Sequence, residues 1–359
     1  MREDIKKLLD AGKNKEEVVL KKELDNKVQI QDYFNSLAND IDSFNEQAWK
    51  NKSGYDTPNF PSFTKGLEGW SPGFYTFAAQ PNAGKTALML NILEDLCTTE
   101  KNKLFGVYFS LDDSKNKVIP RIVAMREIIP ISAVSKPTRY KEMINNGHED
   151  TVAFNDYLVK REQGLKSLKE DSNKLAIFDS TEIKTYTQLY ETIKSVYMYV
   201  KSQDEEANIV VAIDSLKDIV LDDIKLEQSE RIAEVARRVK DISIEFNCIV
   251  LSSMHLRKVN GNRRPTLDDL REANTLEYEL DMCFLVYNDV SRNKQSAKIF
   301  RYEDEQDTEK KPVLEIDWAK NKLSSYKGVT FANFSPEYNK CIEVSEAAAE
   351  QYTLKLYTI

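Results

Sequence analysis

Residues 78–87 read AAQPNAGKTA, and Gly84, Lys85 and Thr86 combine there the chemistry of a polyphosphate cradle. A glycine lets backbone N–H groups approach an anion, a lysine sets a cation on the outer phosphates, and a hydroxyl can hold Mg²⁺. The usual pattern is G-x-x-x-x-G-K-[ST], and Ala79 stands at its first glycine. That position is the mouth of the loop, where a methyl group is tolerated. On this reading Ala79, Gln80, Pro81, Asn82, Ala83, Gly84, Lys85, Thr86 and Ala87 line a nucleotide. Lys85 reaches its β- and γ-phosphates and Thr86 its metal.

Such a loop needs a strand before it and a helix after it. FYTFAA (74–79) has the texture of a strand, and KTALMLNILEDL reads as a helix opening at Gly84. Further apolar runs at 104–110, 174–179, 208–213, 247–252 and 282–287 alternate with helical stretches. Continuous runs of this kind are strands of a parallel sheet buried on both faces. In SERIAEVARRVKDISIEF, Ile232, Val235, Val239, Ile242 and Phe246 share one helical face. VLEIDWA and GVTFANF flank KNKLSSYKG as a hairpin candidate. The expected fold class is α/β, a mostly parallel central sheet flanked by helices, with a C-terminal β-hairpin.

NIVVAIDSLKDI ends its apolar run in Asp214. The carboxyl ends of strands are where open α/β sheets carry ligands, and a carboxylate there can hold a metal through water. VYFSLDDS ends another strand with Asp112 and Asp113; either is a solvated turn residue or the base that activates an attacking water. IVLSSMHLRK places His255, one of two histidines, just past a strand on the same edge. The alternative is a loop histidine facing solvent. Arg257, Lys258, Arg263 and Arg264, with Arg271 further on, follow that strand as a basic segment. They are either phosphate contacts to nucleic acid or a solvated surface loop.

The 359 residues, 41% of them hydrophobic, suffice for one large α/β domain plus an appendage. A net charge of −8 excludes wholesale coating of nucleic acid. It leaves open binding inside a channel, where local charge decides. The four cysteines are scattered without a C-x-x-C, and Cys248 and Cys283, in apolar runs, read as reduced core residues of a cytoplasmic protein. Two histidines exclude a His-rich metal centre. No apolar run approaches about 18 residues, and the first 25 residues hold no apolar signal core. Neither a membrane span nor a secretory signal is therefore expected. Residues 1–54 form a separate segment, in which Leu20, Leu24, Val28, Ile30, Phe34, Leu37, Ile41, Phe44 and Ala48 recur at helical spacing. Such an apolar face packs on its own chain or on a neighbour. NKSGYDTPNFP reads as a linker. Residues 55–345 make the main domain and 346–359 a tail.

The ordered set resembles the RecA-fold core of hexameric replicative DNA helicases, the DnaB family with the phage primase-helicases, over about residues 55–343. AAQPNAGKTALMLNI is similar to that family's phosphate loop, which often begins with alanine. FSLDDS resembles the segment of the catalytic glutamate, and VVAIDSLKDI the Walker B strand. HLRK followed by RRPTLDDLREANTLEYELDMCFLVYND resembles the region that senses the γ-phosphate and faces DNA. LEIDWAKNKLSSYKGVTFANFSPEYNKCIEV resembles the C-terminal strand–hairpin segment. The resemblance implies hydrolysis of ATP or another NTP with Mg²⁺, movement on single-stranded DNA, and a ring homo-oligomer, a hexamer in the family. It implies a primase or helicase loader as further partner, and a cytoplasmic location, the host's if the gene is a phage's. It makes Lys85 and Thr86 the phosphate and metal ligands, Asp214 the Walker B acid, Asp112 the water-activating group and His255 the γ-phosphate sensor. Arg271, Glu272 and Asn274 fall in the DNA loop, and Lys320 and Lys322 on the hairpin that enters the neighbour's ATP site. The stretch 16–50 resembles the linker helix that docks on the adjacent subunit.

The departures are chemical. Asp112 is one methylene shorter than the family's glutamate. Lys322 stands for an arginine finger and keeps the charge without the planar fork. Asn274 replaces a glycine, and the relatives' large N-terminal domain or primase has no counterpart. Two other functions stay open. One is a strand-exchange recombinase that forms filaments, against which the hairpin and the RP…DLRE segment speak. The other is a degenerate ATPase kept as an assembly scaffold or loader subunit, for which Asp112 and Lys322 speak.

Overall fold

A computed structural model describes residues 36–46, 49, 54–257, 263–270, 278–304 and 306–357. The chain divides into two compact units, Met1–Ser53 and Gly54–Ile359. In the first, residues 36–46 form helix α1, whose Leu37, Ile41 and Phe44 are exposed. Leu20, Leu24, Val28, Ile30, Phe34 and Ala48 of the expected amphipathic stretch lie outside the described residues.

In the second unit the expected linker is packed structure from Gly54 onward. Tyr55 and Trp70 exchange backbone hydrogen bonds of 2.8 Å, and Thr57 and Phe60 are fully buried. Pro61 opens helix α2 (Pro61–Leu67), where its fixed φ and missing N–H suit the first turn. Strand β1 (Gly73–Ala79) runs into α3 (Lys85–Thr98). After β2 (Leu104–Ser110) come α4 (Lys115–Glu127), α5 (Ile131–Ser135), α6 (Pro137–Asn145) and α7 (Thr151–Glu170), then β3 (Leu175–Asp179). The alternation continues through α8 (Tyr186–Gln203), β4 (Asn208–Asp214), α9 (Gln228–Glu245) and β5 (Ile249–His255). Then follow β6 (Met282–Asn288), α10 (Asp289–Asn293), β7 (Phe300–Arg301), β8 (Lys311–Asn321), β9 (Val329–Ser335), β10 (Lys340–Glu343) and α11 (Glu346–Tyr357).

The strands form one sheet in the order β10-β9-β8-β6-β1-β5-β4-β2-β3, with β7 paired to β8. From β6 to β3 the pairs are parallel, and β8, β9 and β10 add an antiparallel flank. Alternate residues of β1 serve opposite faces: Tyr75 and Phe77 pack with Leu88 and Ile92 of α3, Phe74 and Ala78 with Val235 and Val239 of α9. Both faces are covered, which is why the strands read as unbroken apolar runs. Each large side chain buried this way contributes about 1.5–3 kcal/mol.

Several strand ends shift by one to three residues, so that His255, expected just past its strand, is the last residue of β5; three further differences have a visible cause. The strand expected at 247–252 starts at Ile249, because Asn247 takes a left-handed φ of 46° and Cys248 N–H closes the turn on Ser243 O at 3.1 Å. Lys320 and Asn321, read as loop, extend β8 because they pair with Cys283 and Met282 of β6. The expected tail forms α11, whose Tyr352 packs 5.4 Å from the Phe331 ring.

Candidate active site at the carboxyl edge of the sheet

Strand register brings the candidate residues to one edge. Ala79 of β1 lies beside His255 of β5, Ile213 beside Ser252, and Ser110 of β2 beside Asp214 of β4. Ala79 is the fully buried last residue of β1 and pairs on its other side with Val286. It has no positive φ, so the freedom of glycine is not needed there. The left-handed positions are Asn82, at 62°, and Gly84, at 101°. A Cβ on Gly84 would also stand 3.1 Å from the Phe334 ring and 3.3 Å from Leu314, so space and φ both ask for glycine. Between them Ala83 N–H donates to Gln80 O at 3.3 Å and Ala83 is buried. Lys85 and Thr86 open α3, where N–H groups without intrahelical partners and the positive end of the helix dipole favour an anion.

Asp214 is buried and held by three hydroxyls. Thr86 Oγ1 donates at 2.8 Å and Tyr108 OH at 3.3 Å, both to Oδ2, and Ser253 Oγ donates to Oδ1. One hydroxyl and one carboxylate side by side fit Mg²⁺. This ion takes few protein oxygens and completes its octahedron with phosphate oxygens and water. Among the described residues no cluster of three His, Cys, Asp or Glu offers a site of another kind.

Lys85 is buried, and among the described residues it has no carboxylate in ion-pair range. It sits close enough to His255 to act on it. Burial first, then Lys85 and Lys217, hold the His255 imidazole below its usual pKa, and Asp112 and Asp214 pull the other way. His255 Nδ1 is buried without a partner. A pKa held below the ordinary value keeps the ring neutral near pH 7, beside the Lys85 cation.

The structure separates the acids that the sequence left equivalent. Asp113 is ion-paired with Lys117 at 2.9 Å and Arg121 at 2.8 Å. Asp112 is exposed at the end of β2, with its N–H 3.1 Å from Asp214 O. Asp179, at the end of β3, accepts from Thr181 Oγ1 at 2.6 Å and from the Lys115 N–H at 2.9 Å, where α4 begins. Those bonds lower its pKa to about 2.

Lys320 and Lys322 stand elsewhere. Lys320 pairs with Cys283 at the start of β6, and Lys322 N–H donates to Asp281 O at 2.9 Å. Asp281 in turn caps Phe74, near the start of β1, with Phe74 N–H 3.1 Å from its Oδ2. From Phe74 to Ala79 five strand residues rise on the order of 17 Å, so Lys322 is at the edge opposite its own loop. Lys322 is exposed, with Nζ 2.8 Å from Tyr278 O.

Of the basic segment, Arg263 forks onto Asp269 at 2.6 and 2.7 Å. Arg264 forks onto Glu315 and lies 5.3 Å over the Tyr287 ring. Arg257 is exposed, and its N–H donates to Asp269 O at 2.8 Å. Lys258, Arg271, Glu272 and Asn274 lie outside the described residues. Sequence reading missed Tyr108 and Ser253, the two hydroxyls that hold Asp214 beside Thr86. Each sits two residues before the end of an apolar strand, and a hydroxyl in such a run was the available signal.

The sheet order, the loop between β1 and α3 and the acid at the end of β4 define the class: a RecA-like α/β ATPase fold. Within that class the chain belongs to the family described as DnaB-like helicase C terminal domain, whose model matches residues 56–342. A probable replicative DNA helicase of Trieres chinensis is 27% identical over 290 residues, 76% of this chain and 56% of that protein. A solved ATPase domain superposes with a TM-score of 0.68 at 19% identity, over 86% of this chain and 99% of that one. A DnaB-like replicative helicase, solved for its interactions with primase, superposes with a TM-score of 0.65 at 19% identity, over 85% and 66%. The chain spans about half the length of the curated relatives it matches. No helix among the described residues is long and apolar enough to cross a membrane.

Proposed function

We propose that residues 55–345 are the motor of a ring-forming replicative DNA helicase that hydrolyses ATP, or another NTP, and moves on single-stranded DNA. The observation that carries this reading is the split between the two edges of the sheet. Lys85, Thr86, Asp214 and His255 converge at one edge, while Lys322 stands about 17 Å away along β1 at the other. One chain then supplies the loop and the next supplies the cation, so the site is complete only between subunits.

In this reading residues 79–87 enclose the nucleotide, with Lys85 on its outer phosphates. Thr86 and Asp214 hold Mg²⁺, which when bound neutralises charge on the phosphate oxygens. Tyr108 and Ser253 orient the Asp214 carboxylate. Asp112 accepts the proton of the attacking water, and His255 senses the γ-phosphate. Lys322, with Lys320 as neighbour, stabilises charge in the partner's site. Lys258, Arg271, Glu272 and Asn274 line the DNA path, with Arg257. Residues 1–54 dock the ring, and a primase or loader completes the assembly in the cytoplasm.

A second reading, an ATPase without turnover kept as a scaffold, is favoured by the shortened acid Asp112 and by lysine at 322. Steady-state hydrolysis with and without single-stranded DNA, with unwinding of a forked duplex, decides between the two. DNA-stimulated turnover with strand separation supports the motor; bound nucleotide without turnover leaves the scaffold. Closed rings rather than filaments in electron micrographs exclude a recombinase.

A further inference from the structure

Glu315 is a carboxylate that the catalytic chemistry does not use. It lies on β8 opposite Tyr287 of β6 and Phe331 of β9, with its side chain 4% exposed. Its partner, Arg264, comes from the segment 263–270, whose neighbours in sequence on both sides hold candidate DNA contacts. The fork of Arg264 closes on both carboxylate oxygens, with Nη2 3.0 Å from Oε1, and the guanidinium covers Tyr287. A bidentate, stacked arginine is held in orientation as well as in place.

The two ends of this pair touch both halves of the machine. Segment 263–270 is fastened to the nucleotide edge through its own bonds. Asp269 takes the Arg263 fork, its O accepts from Arg257 N–H, and Leu270 bridges Leu256, whose N–H donates to Ala79 O at 3.0 Å. On the other side, Leu314, beside Glu315, packs 3.3 Å from where a Cβ on Gly84 would stand. The same strand β8 carries Lys320 and leads to Lys322.

We propose that Glu315 is a positioning residue that, through Arg264, clamps the DNA-facing segment to β8 and so transmits DNA occupancy to the phosphate loop. The inference rests on the helicase reading and deepens it. With the clamp closed, displacement of segment 263–270 by a bound strand moves β8 and the Gly84 wall with it. With the clamp open, the two sites still exist and work independently.

The test is the ratio of DNA-stimulated to DNA-free ATP turnover, read at about pH 8.5, above the raised pKa of Glu315, so that its carboxylate is charged. Glu315→Gln keeps the size and removes the charge; it should lower that ratio about fivefold or more. DNA-free turnover and affinity for a fluorescent ATP analogue should stay at parental values. Glu315→Asp, which keeps the charge on a shorter arm, should fall between, and carries the same test if the Gln variant does not fold. Parallel loss of both turnovers with the ratio preserved assigns Glu315 a purely structural role and overturns the proposal. Tighter DNA binding with an unchanged ratio overturns it as well, making Glu315 only a counter-ion that withholds Arg264. A parental enzyme whose turnover ignores single-stranded DNA overturns the helicase reading and this inference with it, whereas a stimulated parent with stimulated variants overturns this inference alone.

Discussion

Thr86 and Asp214, 128 residues apart, meet through a 2.8 Å hydrogen bond at the carboxyl edge of the sheet. Neither residue forms a site alone. Together they set a hydroxyl and a carboxylate side by side at the start of α3, with Lys85 next in the chain.

Lys85→Ala should abolish hydrolysis while the chain stays folded. The ammonium is buried, yet it has no carboxylate partner among the described residues, so no ion pair is broken by removing it. Loss of a preorganised phosphate clamp costs ~10²–10³-fold or more in rate. Asp214→Asn should act similarly through the metal. Turnover retained in a monodisperse Lys85→Ala preparation would remove Lys85 from the site.

Ser253→Ala and Tyr108→Phe should shift metal dependence more than maximal rate. Both hydroxyls hold the Asp214 carboxylate that Thr86 also touches. Losing one such orienting partner typically weakens a metal site ~10-fold. Titration of activity with Mg²⁺ reads the effect; an unchanged half-saturating concentration argues that Asp214 needs no orienting hydroxyl.

His255 should titrate below the ordinary histidine pKa of about 6.5 in the nucleotide-free chain, because burial and then Lys85 and Lys217 disfavour its charged form. With only two histidines, proton NMR resolves both, and His148→Gln assigns them. The sign follows from linkage: a depressed folded pKa gives stability that is full above about 6.5 and is lost as pH falls through the folded value. If the His255 ring titrates at or above the ordinary value, it is not in the cationic pocket.

Lys322→Ala should leave nucleotide binding intact and cut hydrolysis sharply, since a cation supplied in trans acts on the transition state; for an arginine such a loss is ~10³-fold or more. Mixed with Lys85→Ala subunits, it should regain partial activity at interfaces that pair an intact loop with an intact lysine. Lys322→Arg should match or exceed the parent. Parental turnover by Lys322→Ala with single-stranded DNA present would pass the role to Lys320.

Glu315 should leave a mark on stability against pH. Burial pushes its pKa up to about 7, against the pull of Arg264 and with a further push from Asp289; Tyr287 is the other titratable neighbour. The folded chain then binds a proton that the unfolded chain releases near 4.5. Its contribution is present below about 4.5 and lost as pH rises through about 7. Denaturant midpoints across this range should lose that slope in Glu315→Gln; parallel curves would show that the carboxyl titrates normally.

The strands, the loop between β1 and α3 and the buried face of α9 were legible in the sequence. Each is written in a local period or a turn chemistry: Ile232, Val235, Val239 and Ile242 at helical spacing, GKT behind an apolar run, Asp214 at the end of another. These patterns survive without knowledge of the neighbours because the same backbone geometry sets both the spacing and the element.

Only the tertiary structure decided what the charged residues do, because a charge takes its role from whatever reaches it across the fold. Asp112 and Asp113 are indistinguishable in sequence, and the arrival of Lys117 and Arg121 ties down one of them. Arg263 and Arg264 look alike as a basic segment, yet Asp269 and Glu315 claim one each, the second from 51 residues away. Lys322 reads as part of a hairpin, but the antiparallel pairing of β8 with β6 carries it to the edge opposite its own phosphate loop. Register between strands distant in sequence sets these encounters, and no local pattern encodes that register.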